Sequence, residues 1–205
     1  QSVCTDRYCL CFLVHEVVFV NAHVLCGLLF RIAEVVSIGA NRLLYLPYLM
    51  GERTPHLDPD ARGMFFGLSA MHTKKDMLRA VMEGVAYSLR DCMEICREMN
   101  INVSDMMACG GGGSSPLWRQ MLADLYGCPV KTSASKEGPA LGVAILAMVA
   151  AGIYASVPEA CEVICGVDKV QEPVADHVPQ YEKFYRLYTE IYPAVKDKMA
   201  ALAKL

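Results

Sequence analysis

The run Cys109-Gly110-Gly111-Gly112-Gly113-Ser114-Ser115-Pro116-Leu117-Trp118 decides how this chain is read. The apolar residues before it, Met106-Met107-Ala108-Cys109, predict the end of a buried strand. The residues after it, Pro116 to Tyr126, carry an amphipathic helical pattern, with Ser115 at the N-cap, Pro116 at the first helical position and Gly127 as the C-terminal stop. Four consecutive glycines between a strand and a helix are costly in chain entropy. A connector that only turns the chain needs one or two. Four leave the backbone bare, so a flat or charged ligand can approach the amides and the positive helix end.

The same order repeats downstream. Val130-Lys131-Thr132 predicts a short strand, Ser133-Ala134-Ser135-Lys136-Glu137-Gly138 a polar loop, and Pro139 to Ala151 a helix of small residues ended by Gly152. Ala140, Gly142 and Ala144 predict unusually close helix contact. The loops near 110–115 and 133–138 therefore fall at corresponding strand ends, where α/β sheets collect ligands. Beyond them, Ser156-Val157-Pro158-Glu159 reads as a capping box for a short helix to about Cys165. Gln171-Glu172-Pro173 reads as loop or edge strand, and Pro179 to Leu205 as a terminal helix. Tyr181, Phe184, Tyr185, Tyr188 and Tyr192 form an aromatic stripe on that helix, which suits core packing.

Upstream, Leu43-Leu44-Tyr45-Leu46 predicts a strand stopped by Pro47, and Gly63 to Leu68 a second one. The polar loop between them, Gly51 to Gly63, holds Glu52, Arg53, His56 and Asp58, which could serve a cleft. Its composition favours a solvated loop held by an internal Glu52–Arg53 or Asp58–Arg62 pair. Thr73-Lys74-Lys75-Asp76 has the outline of a capping box and opens a long helix to about Met99. Its Met-rich stripe predicts core, and Gly84 within it predicts the close packing of another backbone. His72, beside the cap, is read as structural.

The composition narrows the functional classes. The chain has 205 residues, 54% hydrophobic and 20% charged, which suits a globular domain. A net charge of -3 announces no basic surface, so nucleic acid is not an expected partner. The ten cysteines include no C-x-x-C pair, and Cys92/Cys96 and Cys161/Cys165 are spaced as small core residues of a reduced, cytoplasmic protein. Residues 1–38 are an apolar, Cys-rich leader without a clear assignment. Cys4, Cys9, Cys11, His15 and His23 in it match no metal-site spacing. Val17 to Phe30, fourteen residues without formal charge, falls short of a membrane span and lacks a signal cleavage site. The reading expects neither a membrane nor a metal site, and takes the start at Gln1 as that of a fragment.

Three nucleotide chemistries compete for the glycine run. A P-loop requires a lysine after the glycines, and none is present. A dinucleotide fingerprint is nearly met by Gly110-x-Gly112-x-x-Ser115, but Lys131-Thr132 stands where its acid belongs, leaving at most an NADP site. The third is an adenosine cradle, a Gly-Gly turn lying against base and ribose. Pattern alone does not choose among them.

From about Gly39 onward the chain resembles the C-terminal domain of FGGY carbohydrate kinases, most closely their xylulokinase branch. The resemblance is carried by Tyr45-Leu46-Pro47-Tyr48-Leu49-Met50-Gly51-Glu52-Arg53-Thr54-Pro55-His56, Gly63 to Leu68, Asp76 to Val85, Gly110 to Asp124, and Glu137-Gly138-Pro139-Ala140-Leu141-Gly142. It implies an α/β, actin-like (ribonuclease H-like) ATPase domain over residues 39–205, a mixed sheet flanked by helices. It implies ATP with Mg2+ and a ketose as partners, the reaction being phosphorylation of D-xylulose at its 5-hydroxyl. It places adenosine on Gly111, Gly112, Gly113, Ser114 and Ser115, and lines the cleft with Glu52, Arg53, Glu137 and Gly138. The family's N-terminal domain and its catalytic aspartate lie upstream of the matched region. Asp58, Asp60, Asp76 and Asp91 stand in the wrong motif context to replace that aspartate. The expectation is a fragment inactive alone, with an exposed inter-domain face that favours self-association. The alternative is a non-catalytic nucleotide-binding or regulatory module.

Overall fold

The computed structural model describes residues 31–108, 110–133 and 139–205, so the leader up to residue 30 lies outside it. Strands β1 (Leu44–Leu46) and β2 (Met64–Phe66) form an antiparallel pair with Tyr45 opposite Phe65. Helix α1 (Lys74–Glu98) follows and packs on β1. Strand β3 (Met106–Ala108), the short turn α2 (Gly110–Gly113) and helix α3 (Pro116–Tyr126) come next, then β4 (Val130–Ser133) and helix α4 (Pro139–Ala150). Helix α5 (Val157–Ile164), strand β5 (Val167–Gln171) and helix α6 (Val178–Leu202) complete the order. The second sheet runs β3-β4-β5, with β3 parallel to β4 and β5 antiparallel on the other side. It is the mixed sheet that the resemblance implies, and β5 includes Gln171 as an edge strand.

Local chemistry sets the element ends. The Thr73 N–H and hydroxyl both donate to Asp76 Oδ2 at 2.7 Å, which fixes the start of α1. Ser115 Oγ accepts from Trp118 N at 3.3 Å, and Gly127 ends α3 in the left-handed region at φ 65. Ser156 Oγ accepts from Glu159 N, while the Glu159 carboxylate takes the Ala155 N–H.

The core lies between α1, α3 and α6. Tyr87, Met82, Met121, Leu125, Tyr181 and Tyr188 are fully buried there, and the aromatic stripe of α6 packs inward as read. Gly84 is the close approach that the sequence predicts. A Cβ there would sit 2.1 Å from the carbonyl oxygen of Tyr45, so β1 lies against the backbone of α1.

Two features differ from the reading. Helix α4 makes no close contact at Gly142, where a Cβ would meet nothing within 4 Å. Its sequence carries no charge, yet Val143 and Leu146 are exposed. Small residues permit close packing, but among the described residues α4 packs mainly on α5. The second feature is a run of left-handed backbone at Gly39 (φ 79), Ala40 (φ 45), Asn41 (φ 56) and Arg42 (φ 73). Non-glycine residues adopt this region at a cost of about 1–2 kcal/mol each. Asn41 Nδ2 donates to Asp76 Oδ1 at 2.6 Å and the Gly39 N–H to Glu83 Oε1 at 3.1 Å, which holds the run in place.

These contacts yield opposite expectations for two glycine positions. Gly84→Ala should destabilise the chain by about 1–3 kcal/mol through overpacking. Arg42→Gly should stabilise it by about 1 kcal/mol by removing left-handed strain. Urea unfolding of both variants against the parent checks the pair, and equal midpoints for all three proteins would contradict the packing described.

Candidate nucleotide site

The parallel pairing of β3 and β4 brings their carboxyl ends to one edge, Ala108 lying opposite Thr132. The chain leaves β3 at that edge and curls through Gly110–Gly113 as one helical turn. The turn ends where the Ser115 N–H bonds the Gly112 carbonyl at 3.0 Å. Packing explains why glycine is required at Gly113, where a Cβ would lie 2.9 Å from the Ala108 carbonyl oxygen; one on Gly112 would lie 3.4 Å from Trp118 Nε1, an ordinary contact. Arg119, one turn into α3, reaches back and donates from Nη1 to the Gly113 carbonyl at 2.6 Å.

The five residues read as an adenosine site divide by role. Gly113 and Ser115 are buried, and the Ser115 hydroxyl is engaged in capping. Gly112 is half-buried and Ser114 exposed, so those two present backbone outward. Gly111 lies within the helical turn. The bare turn and the positive end of α3 form a surface that accepts an uncharged ring or an anionic group without a side chain intervening. An apolar groove of about 370 Å³ opens beside it, lined among others by Trp118, Ala108, Met106, Cys96 and Tyr126.

The Gly51–Gly63 loop is organised differently from either reading of it. Glu52 is buried and accepts from the Thr54 and His56 N–H groups, each at 2.6 Å. Arg62 Nη1 donates to the Pro59 and Ala61 carbonyls at 2.8 Å. Neither Glu52–Arg53 nor Asp58–Arg62 closes as a salt bridge among the described residues. Both Glu52 oxygens are turned to the backbone of their own loop. Glu52 therefore shapes the loop, while Arg53 is exposed. Glu137 and Gly138 lie outside the described residues. His72 is structural as read, its Nδ1 accepting from the Ser69 N–H at 2.9 Å.

A second cavity of about 250 Å³, which sequence reasoning missed, lies between this loop, α1 and α6. Tyr48, His56, Asp91, Tyr185 and Tyr192 line it, and none of the groove residues does. The His56 ring stacks on Tyr192 at 4.0 Å, and burial lowers its pKa. Asp91 accepts from the Tyr185 hydroxyl at 2.6 Å, but burial dominates and pushes its carboxyl up to about 6. Only the aromatic stripe hinted at this cluster, because its carboxylate partners are about ninety or more residues away in the chain.

This mixed sheet, with a glycine turn leading into a capped helix, is the fold class of actin-like ATPase domains. The chain belongs to the FGGY family of carbohydrate kinases, whose C-terminal domain matches residues 17–151. It is 41% identical over 172 residues to the xylulose kinase of Staphylococcus epidermidis, covering 84% of this chain and 35% of that protein. Among solved structures it is similar to a ligand-bound xylulose kinase from Lactobacillus acidophilus, with a TM-score of 0.79 and 32% identity over 85% of this chain and 35% of that one. A gluconate kinase from the same organism gives a TM-score of 0.78 and 32% identity over the same shares. The chain spans about a third of the length of the curated relatives it matches.

The raised Asp91 pKa has a defined sign. Between pH 3.8 and about 6 the folded chain retains a proton that the unfolded chain has released, so this residue lowers stability as pH rises through that window. Asp91→Asn keeps an acceptor for Tyr185 and removes the charge. It should be about 1–3 kcal/mol more stable than the parent at pH 7.5 and indistinguishable from it below pH 3.8. Thermal melts of both proteins across that range check this, and a constant difference at every pH would contradict it.

Proposed function

We propose that this chain is the nucleotide-binding portion of an ATP-dependent sugar kinase and that its substrate is a ketose, D-xylulose, converted to D-xylulose 5-phosphate. The observation that carries the reading is the Gly110–Gly113 turn at the end of parallel β3, in a chain of FGGY kinase sequence. The close contact at Gly113 fits a bare-backbone cradle, with Gly111, Gly112, Gly113, Ser114 and Ser115 as the adenosine-facing segment. The nucleotide would supply the phosphoryl group. The residues of this chain would hold and orient the adenosine end, the positional part of such catalysis. Mg2+ would accompany the phosphates, the usual mode for that ion in kinases.

The sugar assignment rests on similarity to xylulose kinases. Gluconate is the second reading, supported by the comparable similarity to a gluconate kinase. With about a third of its relatives' length, the chain is proposed to need a partner region for turnover and to act in the cytoplasm. The free thiols at Cys92, Cys96, Cys128, Cys161 and Cys165 suit a reducing compartment. Exposed Val143, Leu146, Ile153 and Val163 support self-association of the isolated chain, which light scattering over a concentration series would reveal.

Calorimetric titration of ATP-Mg2+ into the purified chain tests the central claim. The sole tryptophan, Trp118, lies against Gly112, so its emission should change in the same titration. Gly112→Asp adds a side chain and a negative charge to the turn and should abolish both signals. A folded parent chain that shows neither heat nor an emission change would overturn the nucleotide assignment. Phosphorylation of gluconate but not D-xylulose by the longer protein would transfer the sugar assignment to the second reading.

A further inference from the structure

We propose that Arg119 is the positioning residue of the glycine turn, the group that holds Gly110–Gly113 in the conformation the nucleotide meets. The inference rests on the nucleotide reading above and concerns how that site is kept in shape. Four glycines have no side chains with which to define a conformation. Each is a poorer helix former than alanine, and an isolated helical turn is itself unfavourable to nucleate. The observed turn must therefore be imposed from outside.

Three contacts do so. The backbone of Gly113 is pressed against the Ala108 carbonyl, which limits where the turn can lie but does not bond it. The Ser115 N–H closes onto Gly112 within the turn. Arg119 bonds it with a side chain, donating from Nη1 to the Gly113 carbonyl at 2.6 Å, whereas Trp118 only lies against Gly112. This bond is charge-assisted and buried, since Arg119 is 5% exposed. A planar guanidinium fixes direction as well as distance, which a lysine ammonium does not.

The surroundings of Arg119 argue against a purely stabilising role. Among the described residues no carboxylate lies in salt-bridge range of it, and its Nε is buried without a hydrogen-bond partner. The nearest contrast is Arg79, equally buried but paired with Glu83. A buried cation without a counter-charge, near the positive end of α3, is a costly way to stabilise a helix. Its charge does raise the positive potential at the turn, where a polyanion is proposed to bind.

The test uses the 205-residue chain with Arg119→Met and Arg119→Lys, followed by amide hydrogen exchange, thermal melting and ATP-Mg2+ titration. Arg119→Met should expose the Ser115 N–H to faster exchange and weaken ATP about ten- to a hundredfold in the folded fraction. Arg119→Lys, which retains the charge and protects against misfolding, should recover part of the affinity but not the full exchange protection. A variant that melts lower yet binds ATP as tightly as the parent would reduce Arg119 to a structural residue and overturn the proposal. Unchanged Ser115 exchange in Arg119→Met would overturn it equally. A parent chain that does not bind ATP would instead remove the nucleotide reading on which the proposal rests.

Discussion

The buried pair of Arg79 and Glu83 is the constraint on which the rest of the molecule depends. Glu83 is 1% exposed and accepts from Arg79 Nε at 2.7 Å and from the Gly39 N–H at 3.1 Å. Arg79 also donates to the Tyr181 hydroxyl at 2.7 Å. One ion pair on α1 thereby joins the left-handed turn at Gly39 to α6, across nearly the whole described sequence. Burial drives the Glu83 carboxyl upward against the pull of Arg79, and among the described residues Glu83 Oε2 has no partner. Such a pair adds little net stability over an apolar substitute, but losing one member leaves an uncompensated buried charge, at about 3–5 kcal/mol. Its contribution is to register, since only one placement of α6 brings Tyr181 to Arg79.

Once Tyr181 is fixed, the rest of the tyrosine stripe follows at helical spacing. Tyr185 meets Asp91 and has the Arg90 guanidinium over its ring at 4.0 Å. Tyr188 meets the Tyr48 hydroxyl, and Tyr192 meets Asp58. Each pair joins α6 to α1 or to the loop after β1. A phenol supplies a buried apolar body with a polar tip, which lets these contacts be dry and directional together. The same arrangement accounts for Glu52 being buried in its own loop. The loop held by Tyr192 through Asp58 needs its own internal acceptor for the Thr54 and His56 amides.

Sequence patterns with local causes were legible. The box at Thr73–Asp76, the cap at Ser115, the stop at Gly127 and the backbone approach at Gly84 each depend on residues close in the chain or on a single missing Cβ. The aromatic stripe predicts one continuous α6 through Pro193, and the helix does continue there, because tertiary packing outweighs the lost backbone donor. What did not show were contacts between distant residues and conformations without side-chain signals. The glycine run carries no preference between loop and turn, and its helical form is set by Ala108 and Arg119. The left-handed Ala40–Arg42 backbone has no marker beyond Gly39 and Asn41. The small residues of α4 permit close packing without specifying a neighbour, and at Gly142 none is present among the described residues. At the candidate site the sequence marks the glycine segment, while the burial of Gly113 and Ser115 beside an exposed Ser114 had no sequence signal.

Helix α3 links the rigid half of the molecule to the glycine turn. Its C-terminal half is fastened by Asp124, which is 2% exposed and accepts from Gln120 Nε2 and the Val174 N–H at 2.7 Å, with His177 Nδ1 at 2.8 Å. Val174 and His177 lie just ahead of α6, so α3 is tied to the helix that Arg79 and Glu83 hold in register. Its N-terminal half is fastened by the Ser115 cap and by Arg119 on Gly113. A helix fixed at both ends transmits displacement along its axis, because its backbone hydrogen bonds resist stretching. The position of the bare turn is therefore set partly by the distant tyrosine core, and not only by β3. Four glycines could not keep a ligand-facing surface in one shape by themselves. The fold compensates by suspending them between a strand end and a helix whose far end is tied to the segment leading into α6.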